Sequence, residues 1–179
     1  MLIALVPLVV VAVGGLLALS LHSRDNTNLM PPGATIGGRA VVGDGAPRFR
    51  VKDLDDNNVD LVAYRGRPLI LSFGASWCHP CRQEYPLLVQ AARQYQGKLA
   101  IVSVMHDDLP SDSRAFMREF HAGWPAIEDT SDAISSAYGV KGIPQTFFIT
   151  ASGVVQSRVY GITSHAALDP PLRRLLAST

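Results

Sequence analysis

A run of apolar residues leads directly into the two cysteines of the chain, and few folds accommodate that order. Leu69–Phe73 is almost continuously apolar, as expected of a strand buried on both faces of a sheet. A short loop follows, and Cys78 and Cys81 then open a stretch with helical periodicity that ends near Gly97. The sequence therefore predicts a strand, a loop and a helix, with both cysteines at the start of the helix.

The spacing of the cysteines points to disulfide chemistry. The chain has 2 cysteines, so a zinc site built from two CxxC pairs is excluded. Unpaired N–H groups at a helix start favour the thiolate of Cys78, the form that attacks disulfides. Cys81 lies one turn further on, where it can close the internal disulfide that resolves a mixed-disulfide intermediate. Half a zinc site or two inert thiols are the alternatives for a bare CxxC. The strand-loop-helix context favours a redox-active Cys78–Cys81 disulfide, with no other cofactor and no metal.

The rest of the domain alternates strands with helices. The predicted elements are hairpins at 49–61 and 146–160, a buried strand at 99–105, helices at 111–122 and 132–138, and a last helix capped by Asp169 with Pro170 in its first position. This order predicts an α/β fold in which a central mixed β-sheet is flanked by helices, with an N-terminal hairpin.

The first 45 residues differ in composition from the rest of the chain. Leu2–Leu21 carries no charged side chain and is long enough for the roughly 30 Å hydrocarbon layer. We therefore predict a transmembrane anchor at 1–21, with a cleaved signal and a buried core helix as alternatives. Residues 22–45 are rich in Asn, Gly, Pro and Ala, which predicts a flexible linker. The folded domain is then expected at 46–179.

The charges of the chain are balanced and scattered. There are 16 basic and 15 acidic side chains, with a net charge of +1 and no block of one sign. Phosphate binding needs a concentrated cationic face, so nucleic acid is not an expected partner.

Two longer motifs surround the chemistry: residues 74–86, GASWCHPCRQEYP, and residues 138–149, YGVKGIPQTFFI. They resemble the thioredoxin superfamily, and more closely its membrane-anchored TlpA/ResA/DsbE branch, over about residues 46–179. The resemblance implies a thioredoxin-like fold and a cis Ile143–Pro144 bond beside the CxxC. It also implies that Trp77 flanks the active site and that the backbone beside Pro144 pairs with an incoming extended peptide. The predicted substrate-binding rim consists of Trp77, His79, Pro80, Ile143 and Pro144.

Three residues of this rim also have a simpler interpretation from the residues alone. Trp77 alone is more typical of a core or rim aromatic than of a substrate contact. Pro144 alone predicts an ordinary trans proline at the start of an edge strand. A positive His79 would stabilise the neighbouring thiolate, whereas a neutral, exposed His79 would not.

A proton partner for Cys81 is suggested by a second resemblance. Thioredoxins carry a buried aspartate six residues before the first cysteine, where this chain has Ser72, which cannot shuttle a proton. Glu84 lies one helical turn after Cys81 and matches a glutamate of the TlpA/ResA-like branch. If Glu84 is buried, its pKa rises and it could exchange protons with Cys81; the alternative is a solvated side chain that interacts well with the helix dipole.

The predicted function is that of an extracytoplasmic thiol-disulfide oxidoreductase in the cell membrane, because disulfides persist outside the cytoplasm. Arg24 weakly favours the opposite orientation, and the redox chemistry outweighs it. The resemblance implies a single-pass protein that reduces oxidised protein thiols such as apocytochrome c, with electrons from a membrane thiol reductase. A copper chaperone with His79, Met105 or His106 as a further ligand and a thiol peroxidase are the alternatives.

Overall fold

The N-terminal part of the domain is a small antiparallel sheet. The computed structural model describes residues 35–178. Its first strands are β1 (Thr35–Gly37), β2 (Arg48–Lys52) and β3 (Asn58–Asp60), in the order β1-β2-β3. Strands β2 and β3 form the predicted hairpin. The Asp53 carboxylate fixes its turn, because it accepts hydrogen bonds of 2.9 Å from the backbone N–H groups of Asp55 and Asn57.

A flexible linker was predicted at 22–45, and for residues 35–45 this prediction was wrong. Strand β1 lies inside that segment, and Ile36 packs against the main core. Further on, Gly43 donates a 2.8 Å hydrogen bond to the carbonyl of Val155, and Gly45 forms a bridge with Val154. A three-residue strand among Gly and Pro residues carries too little periodicity to be recognised, and only its pairing with β2 defines it.

A five-stranded mixed sheet forms the centre of the domain, as predicted. Its strands are β4 (Leu69–Gly74), β5 (Ala100–Met105), β6 (Ala126–Glu128), β7 (Gln145–Ile149) and β8 (Val155–Tyr160). They are ordered β6-β5-β4-β7-β8, with β4, β5 and β6 parallel and β7 and β8 antiparallel to their neighbours. Strand β6 was not predicted, because three residues give no measurable alternation.

Helices cover both faces of this sheet. They are α1 (His79–Gln94), α2 (Pro110–Glu119), α3 (Ala133–Tyr138) and α4 (His165–Ala177). Ile70 packs with Leu88 of α1 and Leu172 of α4, whereas the next residue, Leu71, packs on the opposite side with Tyr138 of α3. Alternate side chains of β4 thus enter two separate cores, which is why its sequence is apolar at nearly every position.

The start of the last helix was predicted five residues too late. Helix α4 begins at His165 after the cap residue Ser164, and Asp169 and Pro170 lie inside it. The buried Leu168 extends the apolar spacing of Leu172 and Leu175 toward the N-terminus, so packing outweighs the backbone hydrogen bond that proline removes.

Among residues 35–178, no helix combines the length and apolarity needed to cross a bilayer. The predicted anchor at 1–21 lies outside the described residues.

Candidate active site

The two cysteines form a disulfide at the N-terminus of α1. Cys78 is the N-cap residue, and its Sγ accepts a 3.2 Å hydrogen bond from the backbone N–H of Cys81. The helix therefore directs an N–H group and the positive end of its dipole at the outer sulfur, which favours the Cys78 thiolate once the bond is reduced. Both cysteines are buried, with 4% of the Cys78 surface and 1% of the Cys81 surface exposed, so Cys78 is the more accessible of the two.

The loop that holds Pro144 lies against this pair, as predicted. Ile143 packs on the small cluster of Ala75, Cys78 and Cys81, and the Ile143–Pro144 peptide bond is cis. Strand β7 begins directly after it and pairs with β4, the strand that leads into the cysteines. The topology therefore brings together two motifs that are more than sixty residues apart in sequence.

Glu84 is a fully buried residue of α1, the helix that carries the disulfide. Its Oε1 accepts hydrogen bonds from Thr146 Oγ1 and, at 3.4 Å, from Ser72 Oγ, and its Oε2 accepts one of 3.3 Å from the backbone N–H of Ile162. Burial raises the pKa of Glu84, and these hydrogen bonds oppose part of the rise. The solvated alternative was therefore wrong, and the expected direction of the pKa shift is confirmed. Ser72 contacts the glutamate itself.

The remaining residues of the predicted rim lie at the surface around Cys78. Trp77, His79 and Pro80 are exposed, and Trp77 retains 60% of its accessible area. The indole N–H of Trp77 donates a 2.8 Å hydrogen bond to the carbonyl of Asp107. Trp77, His79 and Pro80 thus lie near the Ile143–Pro144 loop, at the end of the sheet where β4 stops and β7 begins.

Asp108 is a site residue that sequence reasoning missed. Its carboxylate accepts hydrogen bonds from the Ser76 backbone N–H at 2.6 Å, Ser76 Oγ at 2.7 Å and Ser113 Oγ at 2.9 Å. It therefore fastens the loop before Cys78 to helix α2. The available signal was positional: Asp108 follows β5, and loops at the carboxyl ends of adjacent parallel strands meet.

Gly74 lies beside the inner cysteine at the end of β4. A Cβ atom at this position would lie 3.4 Å from Cys81 Sγ and 3.6 Å from Cys81 Cβ, which are ordinary van der Waals distances. Space beside the sulfur therefore does not by itself require a glycine here.

Two of the three further ligands named for the copper alternative have other surroundings, and His79 alone is exposed beside Cys78. Met105 is fully buried, and His106 Nδ1 lies 3.0 Å from Asp132 Oδ1. Within residues 35–178, no group of three or more His, Cys, Asp or Glu side chains is arranged to hold a metal ion.

Two solved structures with this architecture carry the names of thiol:disulfide interchange proteins. A putative thiol:disulfide interchange protein DsbE from Chlorobium tepidum is 30% identical, with a TM-score of 0.70, over 76% of this chain and 99% of that one. A thioredoxin-family thiol:disulfide interchange protein from Chlorobium tepidum TLS is 27% identical, with a TM-score of 0.68, over 74% and 96%. The fold is thioredoxin-like, and its CxxC disulfide defines a thiol-disulfide oxidoreductase.

The sequence comparisons agree. The model of the AhpC/TSA family matches residues 42–158. The thiol-disulfide oxidoreductase ResA of Geobacillus thermodenitrificans is 32% identical over 122 residues, which cover 68% of this chain and 70% of that protein. ResA of Bacillus subtilis is 26% identical over 138 residues, covering 75% and 77%. The chain belongs to the AhpC/TSA family.

Proposed function

We propose that this oxidoreductase works outside the cytoplasm, tethered to the membrane, and reduces disulfides of exported proteins such as apocytochrome c. The observation that carries the proposal is the Cys78–Cys81 disulfide at a helix N-terminus beside the Ile143–Pro144 loop. A dithiol in this position is suited to reduce an extended substrate segment that lies across the loop. The resemblance to the TlpA/ResA/DsbE branch supports the reducing direction and this substrate class.

Reduction proceeds in two exchanges. The Cys78 thiolate attacks one sulfur of the substrate disulfide, which forms a mixed disulfide and releases the other substrate sulfur as a thiolate. Cys81 then attacks Cys78 Sγ, which restores the internal disulfide and frees the second substrate thiol. Two electrons have passed to the substrate. A membrane thiol reductase is the proposed source of the two electrons that reopen the Cys78–Cys81 bond.

Glu84 is the proposed proton acceptor for Cys81. Cys81 must lose its proton to attack, and it is 1% exposed, so bulk water has poor access to it. Glu84 lies one turn further along α1, is fully buried, and has a raised pKa. A carboxylate with a raised pKa is a better base for a thiol than an ordinary one, because their proton affinities are closer.

Location and partners rest on sequence and chemistry. A disulfide exchanger has substrates where disulfides form and persist, which is outside the cytoplasm. The uncharged segment Leu2–Leu21 is long enough to anchor the chain there.

The decisive experiment is substrate trapping. The full chain with Cys81→Ser, once reduced, is expected to accumulate a mixed disulfide with an oxidised apocytochrome c peptide, because the resolving thiol is missing. The matched Cys78→Ser chain is expected to accumulate none. Trapping by Cys78→Ser instead would reverse the assigned roles.

The reduction potential of the Cys78–Cys81 pair distinguishes a protein that reduces substrate disulfides from one that forms them. A value near the roughly −270 mV of thioredoxin supports a reductant, and one near roughly −120 mV supports an oxidant. Catalytic oxidation of Cys78 by hydrogen peroxide, with slow exchange toward the peptide, would favour the thiol peroxidase.

A further inference from the structure

A glutamine is fully buried at the first position of β7. Gln145 has 0% of its surface exposed, and neither its side-chain nitrogen nor its side-chain oxygen has a hydrogen-bond partner among residues 35–178. A carboxamide carries two N–H donors and an acceptor oxygen, and burying it without partners lowers the stability of a fold. Unpaired groups of this kind are rare in protein interiors, so Gln145 needs a physical account.

Gln145 lies on the α3 face of the central sheet. Its cross-strand partner on β4 is Phe73, and directly opposite residues place their side chains on the same face of a sheet. Phe73 packs against Tyr138 of α3, with ring centroids 5.4 Å apart. The next residue along β7, Thr146, contacts Glu84 on the other face. The sheet therefore separates the Gln145 carboxamide from the Glu84 carboxyl.

The loop between α3 and β7, residues 139–144, lies on the same face as Gln145. Its partly buried residues Val140 and Ile143 pack against the core cluster that contains Phe73. Ile143 also packs against the two cysteines. The loop therefore contacts both the core on the Gln145 side of the sheet and the disulfide.

The peptide groups in the middle of this loop are unpaired as well. Residues 141–143 form no hydrogen bond to any other part of the described chain. Hydrogen bonds hold the loop at its two ends, where the Val140 N–H donates to the Ser135 carbonyl at 2.9 Å and the Gly161 N–H donates to the Pro144 carbonyl at 3.2 Å. Pro144 alone thus separates a buried, unpaired carboxamide from a run of unpaired peptide groups.

We propose that Gln145 is a positioning residue for the protein substrate: its carboxamide hydrogen-bonds to the peptide groups of Gly142 and Ile143 once a substrate segment covers the loop. The inference rests on the proposed function, which places an extended substrate segment across the Ile143–Pro144 loop. Lys141 and Gly142 are exposed in the free protein, so their peptide groups can bond to water. A bound segment displaces this water, and the covered peptide groups then need partners within the protein. Gln145 cannot contact the substrate itself, because it is fully buried.

This arrangement transfers free energy from folding to substrate binding. The unpaired carboxamide lowers the stability of the free protein, and its hydrogen bonds form only in the complex, so they favour the bound state. A side chain of similar shape without polar atoms should therefore stabilise the free protein and slow its reaction with a protein disulfide. Replacing a residue that only supports the fold would lower stability and reactivity together.

Gln145→Met tests these two opposite effects in the full chain, kept in a non-ionic detergent. Methionine is unbranched like glutamine and has no amide. The urea midpoint of the oxidised protein is expected to rise by about 0.5–1 M. The rate constant for reduction of insulin by the pre-reduced protein is expected to fall about tenfold, whereas that for reduction of the Cys78–Cys81 bond by dithiothreitol should change less than about twofold.

Gln156→Met is the matched control. Gln156 is a half-buried glutamine of the neighbouring strand β8, and its side-chain nitrogen donates a 3.2 Å hydrogen bond to the Arg174 carbonyl of α4. The substitution removes this bond, so the urea midpoint should fall slightly. Both rate constants should stay within about twofold of the wild type, because Gln156 is remote in the chain from the Ile143–Pro144 loop.

Gln145→Glu is the conservative variant, and it adds a pH profile. Its carboxyl keeps both a donor and an acceptor only while it is protonated, and burial raises the pKa of a carboxyl. The rate constant with insulin, divided by that of the wild type at the same pH, should therefore recover as pH falls from about 8 to about 5. A ratio that does not change with pH would argue against a hydrogen-bonding role of this side chain.

The outcomes separate this inference from the proposed function. A lower midpoint for Gln145→Met, with equal losses toward insulin and dithiothreitol, would make Gln145 a structural residue and overturn the inference. An unchanged rate constant with insulin would overturn it too, and would leave the disulfide exchange intact. Selective loss with insulin, together with no wild-type reaction toward an apocytochrome c peptide, would support the inference and reject the proposed substrate. A wild-type chain that reduces neither would overturn the proposed function and the inference together.

Discussion

Replacing Asp108 by alanine should destabilise the domain by releasing the loop that carries Cys78. The substitution removes the carboxylate that accepts two hydrogen bonds from Ser76, at 2.6 and 2.7 Å, and one of 2.9 Å from Ser113. A hydrogen bond to a charged group contributes about 1.5–3 kcal/mol. The site is partly buried, and the serine hydroxyls can turn to water, so the lower value applied to the two Ser76 bonds gives about 3 kcal/mol for Asp108→Ala.

Urea denaturation of the oxidised protein measures this loss. With a slope of about 2 kcal/mol per molar urea, the midpoint should fall by about 1.5 M. Asp112→Ala is the matched control, because Asp112 is exposed in the first turn of the same helix and accepts only from its neighbour Ser111. It should cost about 0.5 kcal/mol. Equal midpoints for the two variants would show that Asp108 does not hold the loop.

Three further predictions concern the site and its support. Folding raises the pKa of Glu84 above its value in the unfolded chain. The protonated carboxyl therefore contributes fully to the free energy of unfolding at a pH below the ordinary glutamate pKa, and this contribution is lost as pH rises through the raised pKa. Urea midpoints of Glu84→Gln measured between about pH 4 and about pH 9 should therefore fall less with pH than those of the wild type, and parallel curves would refute this. Ser103→Ala removes the acceptor of two 2.8 Å hydrogen bonds, from the Tyr85 hydroxyl and the Trp124 indole, and should cost about 2–4 kcal/mol in the same assay, whereas a cost below about 1 kcal/mol would contradict the burial argument. Trp77→Ala should lower kcat/KM for a protein disulfide about tenfold and leave reduction by dithiothreitol nearly unchanged; an equal loss in both reactions would argue against a substrate contact.

Much of the fold follows from local patterns. The buried strand at 69–73, the helix that starts after Cys78 and the hairpin around Asp53 were predicted because periodicity and turn chemistry act over a few residues. Strands β1 and β6 were missed because three residues carry too little pattern. The start of α4 was misplaced because Pro170 is a strong local signal that the packing of Leu168 overrides.

The residues of the site also fall into those that could be predicted from the sequence and those that could not. Cys78 and Cys81 could be predicted because their motif is contiguous in sequence. The roles of Pro144 and Glu84 were implied by the resemblance to the TlpA/ResA/DsbE branch, and for Glu84 the helical spacing from Cys81 supported it. Asp108 could not be predicted, because the contacts that give it a role run to Ser76 and Ser113 on other elements.

The sequence by itself determined the chemistry: two thiols at a helix start, and a proline motif to pair with them. Only the tertiary structure decided which distant residues meet beside those thiols. Parallel strands collect their carboxyl ends at one end of the sheet, so Ser76 after β4 and Asp108 after β5 meet there and form a hydrogen bond. The meeting of these loops is a property of the folding topology, and linear order does not contain it.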